Sequence, residues 1–135
     1  MQPKRQTLHA SPLVEAVRIS ISCLFDSGAL ILGQPVFTAV SGGPDSMALC
    51  DVVERLCREI GNPHVALIVD HRLRTVSADE ARSVQARLDD NGIKTARLTV
   101  MAAPPSSGKL AWARQQRFAL LTSYVRAQRG ILMFG

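Results

Sequence analysis

Four short segments of the chain are rich in apolar and β-branched residues and contain few polar positions. Continuous apolar runs of this kind are typical of strands that a parallel sheet buries on both faces. Lys94 and Arg97 interrupt the third run, which favours an edge position for that strand. The pattern predicts strands at residues 36–40, 64–69, 93–100 and 130–135.

Amphipathic stretches with helical spacing separate these runs. Ser11 and Pro12 predict a helix start before the first strand, because serine caps helices and proline is tolerated in the first turn. Strands that alternate with helices predict an α/β fold in three layers, with one parallel sheet and right-handed crossovers. The predicted helices run from residue 11 to about 27, from about 47 to 60, from 77 to 91 and from 109 to 129.

The chain of 135 residues is long enough for one domain with its own core. Residues 1–10 are polar and predict a disordered tail, so the folded part is expected to span residues 11–135. Residues 101–108 contain a Pro-Pro and a Ser-Ser pair and predict a loop.

The segment at residues 41–46, between the first strand and its helix, has the sequence S-G-G-P-D-S. A strand that turns through glycines into a helix presents backbone N–H groups without intrahelical partners, and the helix dipole adds positive potential there. Gly42 and Gly43 allow positive φ and close approach of a ligand. The lysine of G-x-x-x-x-G-K-[ST] is absent, so the site suits a leaving pyrophosphate. The competing interpretation is an ordinary turn rich in serine and glycine.

A second group of candidates follows the second strand. Ligands of open α/β sheets bind at the carboxyl ends of the strands, so Asp70 and His71 are expected at the same edge as the glycine segment. The alternative is that Asp70 caps a turn and His71 is a surface residue. Arg72 and Arg74 are expected to be solvated or to contact phosphates rather than to act in catalysis.

Two arginines in the last helix form a third group. Arg114 and Arg117 are three residues apart and share one helix face, where guanidinium groups can bind phosphates of ATP or RNA. A solvated surface is the alternative. Trp112 and Phe118 could stack on bases, but core packing is the favoured interpretation for both.

The glycine segment resembles the signature of the N-type ATP pyrophosphatases, which activate a substrate by adenylation and release pyrophosphate. Residues 69–74 (V-D-H-R-L-R), residues 113–118 (A-R-Q-Q-R-F) and Pro44 narrow the match. Together they resemble the N-terminal part of the tRNA(Ile)-lysidine synthetases, from about residue 36 onward. The resemblance implies a PP-loop fold, also called adenine nucleotide alpha hydrolase-like, with strand order 3-2-1-4-5.

The resemblance also implies a site for ATP and Mg²⁺. Asp45 is the candidate Mg²⁺ ligand, although a helix-start role competes, and Asp45, Arg114 and Arg117 are the candidate catalytic residues. The implied nucleotide-binding residues are Ser41, Gly42, Gly43, Pro44, Asp45, Ser46, Asp70 and His71.

In the resembled family, ATP adenylates the wobble cytidine of tRNA(Ile) with a CAU anticodon, and free lysine then displaces AMP to form lysidine. The implied protein is a cytoplasmic ligase that forms a C–N bond. A second signature rich in histidine and carboxylates follows the fourth strand in that family, and these 135 residues do not contain it. We therefore expect a partial domain, truncated after the fourth strand and inactive alone, whose apolar fourth strand promotes self-association.

Composition changes this picture little. The net charge of +5 fits an RNA or nucleotide partner, but many solvated domains share it. Three cysteines without a C-x-x-C pair disfavour a disulfide framework or zinc site and favour a reducing compartment. Cys50 and Cys57 are expected in the core, and no apolar run approaches the length of a membrane span.

Two alternatives to a lysidine synthetase stay open. One is another tRNA-modifying enzyme of the same fold, of the thiolation type, although such enzymes usually need cysteine pairs or a sulfur donor. The other is an ATP-binding module without catalysis.

Overall fold

The computed structural model describes residues 12–72 and 77–134. Helices and strands alternate in the predicted order, although the second helix begins at Pro44 rather than at residue 47, because proline fits the first helical position. The predicted tail, the Ser11 cap, Arg74 and Gly135 lie outside the described residues. The described elements are α1 Pro12–Ser27, β1 Val36–Val40, α2 Pro44–Ile60, β2 His64–Asp70, α3 Ser77–Asp90, β3 Lys94–Thr99, α4 Lys109–Ala127 and β4 Ile131–Met133.

The four described strands form one parallel sheet in the order β3-β2-β1-β4. This order and the helices on both faces confirm the predicted three-layer α/β architecture. Strand β3 lies at one edge, as its interrupted pattern predicted, and β4 lies at the other. All three residues of β4 are half-buried, and self-association through this edge stays a prediction.

The central strand β1 contributes alternate residues to the two faces of the sheet, as the two-residue period of a strand requires. Val36 packs with α1 and α2, and Val40 packs with α3. Phe37 and Ala39 face the opposite side, where they pack with α4. All five residues of β1 are buried, so the loop that follows β1 emerges from the centre of the sheet.

Two apolar residues of α4 are exposed, and for Phe118 this contradicts the prediction. Leu110 is 81% exposed and Phe118 is 56% exposed, whereas the buried residues of α4 are Ala113, Leu121 and Val125. The prediction that Phe118 packs in the core is therefore wrong. Its ring instead packs edge to face against that of Phe134. The ring centroids are 6.4 Å apart, which is a distance typical of aromatic pairs. Trp112 is half-buried.

Cys50 and Cys57 are buried in the core, as predicted. Burial, followed by the nearby Glu54 carboxylate, raises the pKa of the Cys57 thiol to about 12. Burial also raises the pKa of the Cys50 thiol, against a smaller lowering by its hydrogen bond with the Thr38 side chain. Since the thiolate is the reactive form, both side chains are packing groups rather than nucleophiles.

A buried histidine joins two strands to helix α2 at the amino end of the sheet. The Nε2 atom of His64 lies 2.8 Å from the Thr38 hydroxyl, and its Nδ1 atom lies 2.8 Å from a carboxylate oxygen of Glu54. The other Glu54 oxygen accepts a hydrogen bond from Nε of Arg58 at 2.6 Å. Burial lowers the pKa of His64, although Glu54 opposes this. Neutral His64 therefore donates from Nδ1 to Glu54 and accepts at Nε2 from Thr38.

The segment at residues 41–46, here called the phosphate loop, passes directly over helix α3. Gly42 has a φ of +92°, and a Cβ atom on it would lie 2.8 Å from a methyl carbon of Val84. Gly43 has a φ of −73°, and a Cβ atom on it would lie at an ordinary 3.6 Å from the Ser41 hydroxyl. The loop therefore requires glycine at residue 42 and tolerates a small side chain at residue 43.

Across the described ranges, 12–72 and 77–134, no helix combines the length and the apolar character needed to cross a membrane.

We expect the free energy of unfolding to fall as the pH drops below 6.5. The folded protein holds the pKa of His64 below its ordinary value of 6.5, so the unfolded chain binds protons first and stability is lost on acidification. Urea denaturation at pH 7.5 and pH 5.5 measures the change.

Replacement of His64 by glutamine should reduce this pH dependence. His71 also has a lowered pKa, caused first by burial and then by Arg117. The matched variant His71→Gln should therefore remove a separate part of the stability loss between pH 7.5 and pH 5.5. A wild-type stability that is constant or higher at pH 5.5, or a loss that His64→Gln leaves intact, would contradict this assignment.

Replacement of Gly42 by alanine should lower the free energy of unfolding by about 1–3 kcal/mol, because it combines a disfavoured φ with contact against Val84. The control Gly43→Ala should cost less than about 1 kcal/mol, the size of a weakened helix cap. Thermal and urea unfolding of both variants give the comparison. Equal losses would show that the contact with Val84 does not constrain the loop.

Candidate functional site

The phosphate loop leads into helix α2 without a side-chain cap. Gly43 is the N-cap residue and has an extended conformation, and no side-chain hydrogen bond caps the start of the helix. Pro44, the first helical residue, has no N–H to satisfy. In the described part of the chain, no hydrogen bond involves the amide hydrogens of Gly42 and Asp45, so these donors are available to an anion.

The two serines of the phosphate loop close it internally. The Ser41 amide donates to the Ser46 hydroxyl at 3.1 Å, and the two hydroxyl oxygens are 3.1 Å apart. The Gly43 amide makes only a long contact of 3.4 Å to the Ser41 hydroxyl. These bonds hold the loop in shape while a stronger acceptor, such as a phosphate oxygen, could replace the long contact.

A cleft of about 160 Å³ opens beside the loop at the carboxyl edge of the sheet. Its floor consists of strand ends, including Val40 and Ile68, and one wall is the start of helix α3. Four of the predicted site residues line it, namely Ser41, Asp70, His71 and Arg117. The structure therefore brings the ends of β1 and β2 and a residue of α4 around one space, as the strand-end argument expects.

The polar groups of the cleft have mixed charge. Asp70 is buried, and its carboxylate accepts a hydrogen bond of 2.9 Å from the Arg72 amide. Burial, together with the Arg117 charge, lowers the pKa of His71, while Asp70 raises it. Burial also lowers the pKa of Arg117, although a guanidinium stays protonated at neutral pH. The cleft thus places a half-buried cation and a neutral imidazole close to the phosphate loop.

Other predicted residues lie outside this cleft. The side chains of Asp45 and Arg114 are exposed, and neither lines it. Gly42, Gly43, Pro44 and Ser46 do not line it either, because the loop forms the rim beside it. Their roles toward a ligand stay predictions.

Helix α3 contributes cleft residues that sequence reasoning did not select. Ser77 and Glu80 line the cleft from the first turn of α3, where the sequence predicts only the start of a helix. One signal was available, because the helix that follows β2 must begin near the carboxyl edge where ligands bind. Arg87, further along α3, donates to the carbonyl oxygen of Gly42 at 3.4 Å, and no local pattern indicates that contact.

The few carboxylates near the phosphate loop suit a Mg²⁺ ion whose other ligands are phosphate oxygens of a bound nucleotide. No group of three or more potential metal ligands occurs among the residues that the structure describes. Mg²⁺ in phosphate sites commonly takes one or two carboxylates, with phosphate oxygens and water as the remaining ligands. Asp45 at the start of α2 and Asp70 in the cleft are carboxylates of this kind.

Comparison with known proteins gives consistent matches. The model of the PP-loop domain family matches residues 16–134. The tRNA(Ile)-lysidine synthase of Brucella anthropi is 37% identical over 109 residues, which are 79% of this chain and 24% of the relative. The same enzyme of Bradyrhizobium diazoefficiens is 38% identical over 91 residues, 66% of this chain and 25% of the relative. The chain thus spans about a quarter of the length of the curated relatives it matches.

A solved structure shares the fold at low sequence identity. The U34-tRNA thiolase NcsA from Methanococcus maripaludis, which was solved with its [4Fe-4S] cluster, superposes with a TM-score of 0.67 at 14% identity. The match covers 78% of this chain and 39% of the thiolase. The family model and the lysidine synthase relatives confirm the resemblance that the glycine segment and the two arginine-containing stretches indicate. The chain belongs to the PP-loop domain family, and its similarity to tRNA(Ile)-lysidine synthases covers about a quarter of their length.

Proposed function

We propose that this chain binds ATP and supplies the nucleotide-binding part of a tRNA(Ile)-lysidine synthase. The observation that supports this most directly is the phosphate loop, whose uncapped helix start and unbonded amides lie beside a cleft at the carboxyl edge of the sheet. Amides at a helix start bind phosphate without any need for a lysine side chain. The similarity to lysidine synthases favours this enzyme over others of the fold.

In this proposal the phosphate loop receives the pyrophosphate end of ATP. Adenylation leaves negative charge on the departing pyrophosphate, and fixed N–H donors stabilise that charge because they need no reorganisation. The hydroxyls of Ser41 and Ser46 add donors beside Gly42 and Gly43. A bound Mg²⁺ would add charge neutralisation of the phosphates, with Asp45 as its protein ligand.

Arg114 and Arg117 of α4 are proposed to bind phosphates of different molecules. Arg117 is half-buried in the cleft, where a desolvated guanidinium interacts strongly with ATP phosphates or with the transferred adenylate. Arg114 is exposed, so we assign it to the backbone of tRNA(Ile). Asp70 and His71 lie in the cleft between loop and arginine and are proposed to contact the nucleoside part.

Titration calorimetry tests ATP binding. We expect the chain to bind ATP–Mg²⁺ and pyrophosphate with dissociation constants no weaker than about 1 mM, which corresponds to roughly 4 kcal/mol. Gly43→Asp should weaken pyrophosphate binding by about tenfold or more, because it places a carboxylate beside the phosphate site.

The matched control is Gly43→Asn, which has nearly the same shape without the charge and should lose much less affinity. In the same titrations, Arg117→Gln should weaken ATP binding while Arg114→Gln should leave it nearly unchanged. Absence of binding to both ligands at millimolar concentration would refute the proposal.

Mass spectrometry of tRNA distinguishes the candidate reactions. Incubation with tRNA(Ile), lysine and ATP–Mg²⁺ should add lysine to the wobble cytidine if the chain contains a complete lysidine synthase site. The carboxylate-rich signature expected after β4 does not occur in the sequence, so we expect ATP binding without the adduct from these 135 residues alone.

The alternative functions predict other outcomes in that assay. Replacement of oxygen by sulfur in tRNA, given a sulfur donor, would favour a thiolation enzyme, a class to which the fold match with NcsA points. The three free cysteines among the described residues form no pair suited to that chemistry. A lysine adduct formed by the chain alone would overturn the expectation that its site is incomplete.

A further inference from the structure

Helix α3 holds the phosphate loop through two neighbouring side chains. Val84 contacts Gly42 so closely that residue 42 can carry no Cβ atom. One turn further along α3, an Nη2 nitrogen of Arg87 lies 3.4 Å from the Gly42 carbonyl oxygen and donates to it. The same nitrogen lies 3.8 Å from the place of a Cβ atom on Gly42. Helix α3 therefore contacts Gly42 in two ways, through the packing of Val84 and through the charged side chain of Arg87.

The carbonyl that Arg87 holds belongs to the same peptide group as the Gly43 amide. All peptide bonds of the described residues are trans, and in a planar trans peptide the C=O and N–H bonds point in opposite directions. The Arg87 contact is also long, at 3.4 Å, but Val84 packs against the same glycine, and together they favour a Gly42 carbonyl that is turned toward α3. The Gly43 N–H of that peptide then points away from α3. That N–H makes only its long contact of 3.4 Å to Ser41.

The cation also changes the strength of this donor. A positive charge at the oxygen of a peptide group polarises the group, and polarised hydrogen-bond chains strengthen one another. The Gly43 N–H is consequently a better donor to an anion when Arg87 is bound to the Gly42 oxygen. The guanidinium also adds positive potential beside the loop, in a helix whose other nearby arginine, Arg82, is paired with Asp79.

We propose that Arg87 is a positioning residue of the phosphate loop, which orients and polarises the Gly42–Gly43 peptide so that the Gly43 amide meets a polyphosphate. The inference rests on the proposed function, since it concerns the same anion site. It names a residue 45 positions away from Gly42 in the chain that no motif of the loop contains.

Calorimetry with inorganic pyrophosphate tests the proposal on the full chain. Arg87→Met keeps roughly the length of the side chain but removes its donors and charge. We expect at most about fivefold weaker binding, because the charged hydrogen bond that is lost is long and exposed. Arg87→Lys keeps the charge and one donor group and should recover part of the affinity. Arg82→Met, on the same helix, is the control and should bind like the wild type.

A second measurement needs no ligand. In ¹H–¹⁵N spectra of the free protein, the Gly43 amide resonance should move in Arg87→Met and stay in place in Arg82→Met, while both variants keep the wild-type melting temperature. A positioning role predicts this movement, whereas a direct contact with phosphate alone does not.

The outcomes separate the inference from the proposed function. If the wild-type chain binds pyrophosphate and Arg87→Met binds it equally tightly, the role of Arg87 is overturned and the proposed function stands. Weaker binding with an unmoved Gly43 resonance would overturn positioning as the cause. A wild-type chain that binds no pyrophosphate would refute the proposed function and this inference together.

Discussion

The close contact between Gly42 and Val84 is the constraint on which the candidate site depends. A Cβ atom at residue 42 would lie 2.8 Å from Val84, so the loop can lie this close to α3 only because it has no side chain there. Strand β1 is an inner strand of the sheet, and its loop therefore starts away from both edges. The contact holds this loop against α3, which forms one wall of the cleft.

Helix α2 connects this site to a buried polar network at the other end of the sheet. Its first turn follows the phosphate loop, and further along it Glu54 bonds to His64, which in turn bonds to Thr38 of β1. A fully bonded buried network has one favourable geometry, and a shift of the helix would leave buried polar groups unpaired. The network therefore fixes α2 relative to β1 and β2. It thereby also fixes the first turn of α2, into which the phosphate loop leads.

The comparisons show why the site rather than the fold supports the functional proposal. A tRNA thiolase shares the fold at 14% identity, and one fold supports different chemistries through the residues placed on it. The lysidine synthases are similar at 37% and 38% identity over the part that this chain covers. Within that part, the structure shows unbonded amides at the start of α2 and a half-buried arginine that lines the neighbouring cleft. The proposal depends on these features, because free amides at a helix start suit the binding of phosphate.

The fold class and the position of the phosphate loop could be predicted from the sequence, and its family resemblance implied the strand order. These features depend on local patterns: apolar runs predict buried strands, and glycines between a strand and a helix predict an amide-lined turn. Even so, the prediction was wrong for Phe118, since an apolar residue in the middle of a helix need not be covered by the sheet.

Which side chains meet follows from the packing of the helices on the sheet. It separated Arg117, which lines the cleft, from the exposed Arg114 on the same helix, and it brought Arg87 to Gly42 across 45 residues. It also paired His64 with Glu54, which precedes it by ten residues on a different element. Contacts of this kind depend on the angle and distance at which helices pack against the sheet, and these follow from the whole core rather than from any local stretch of sequence.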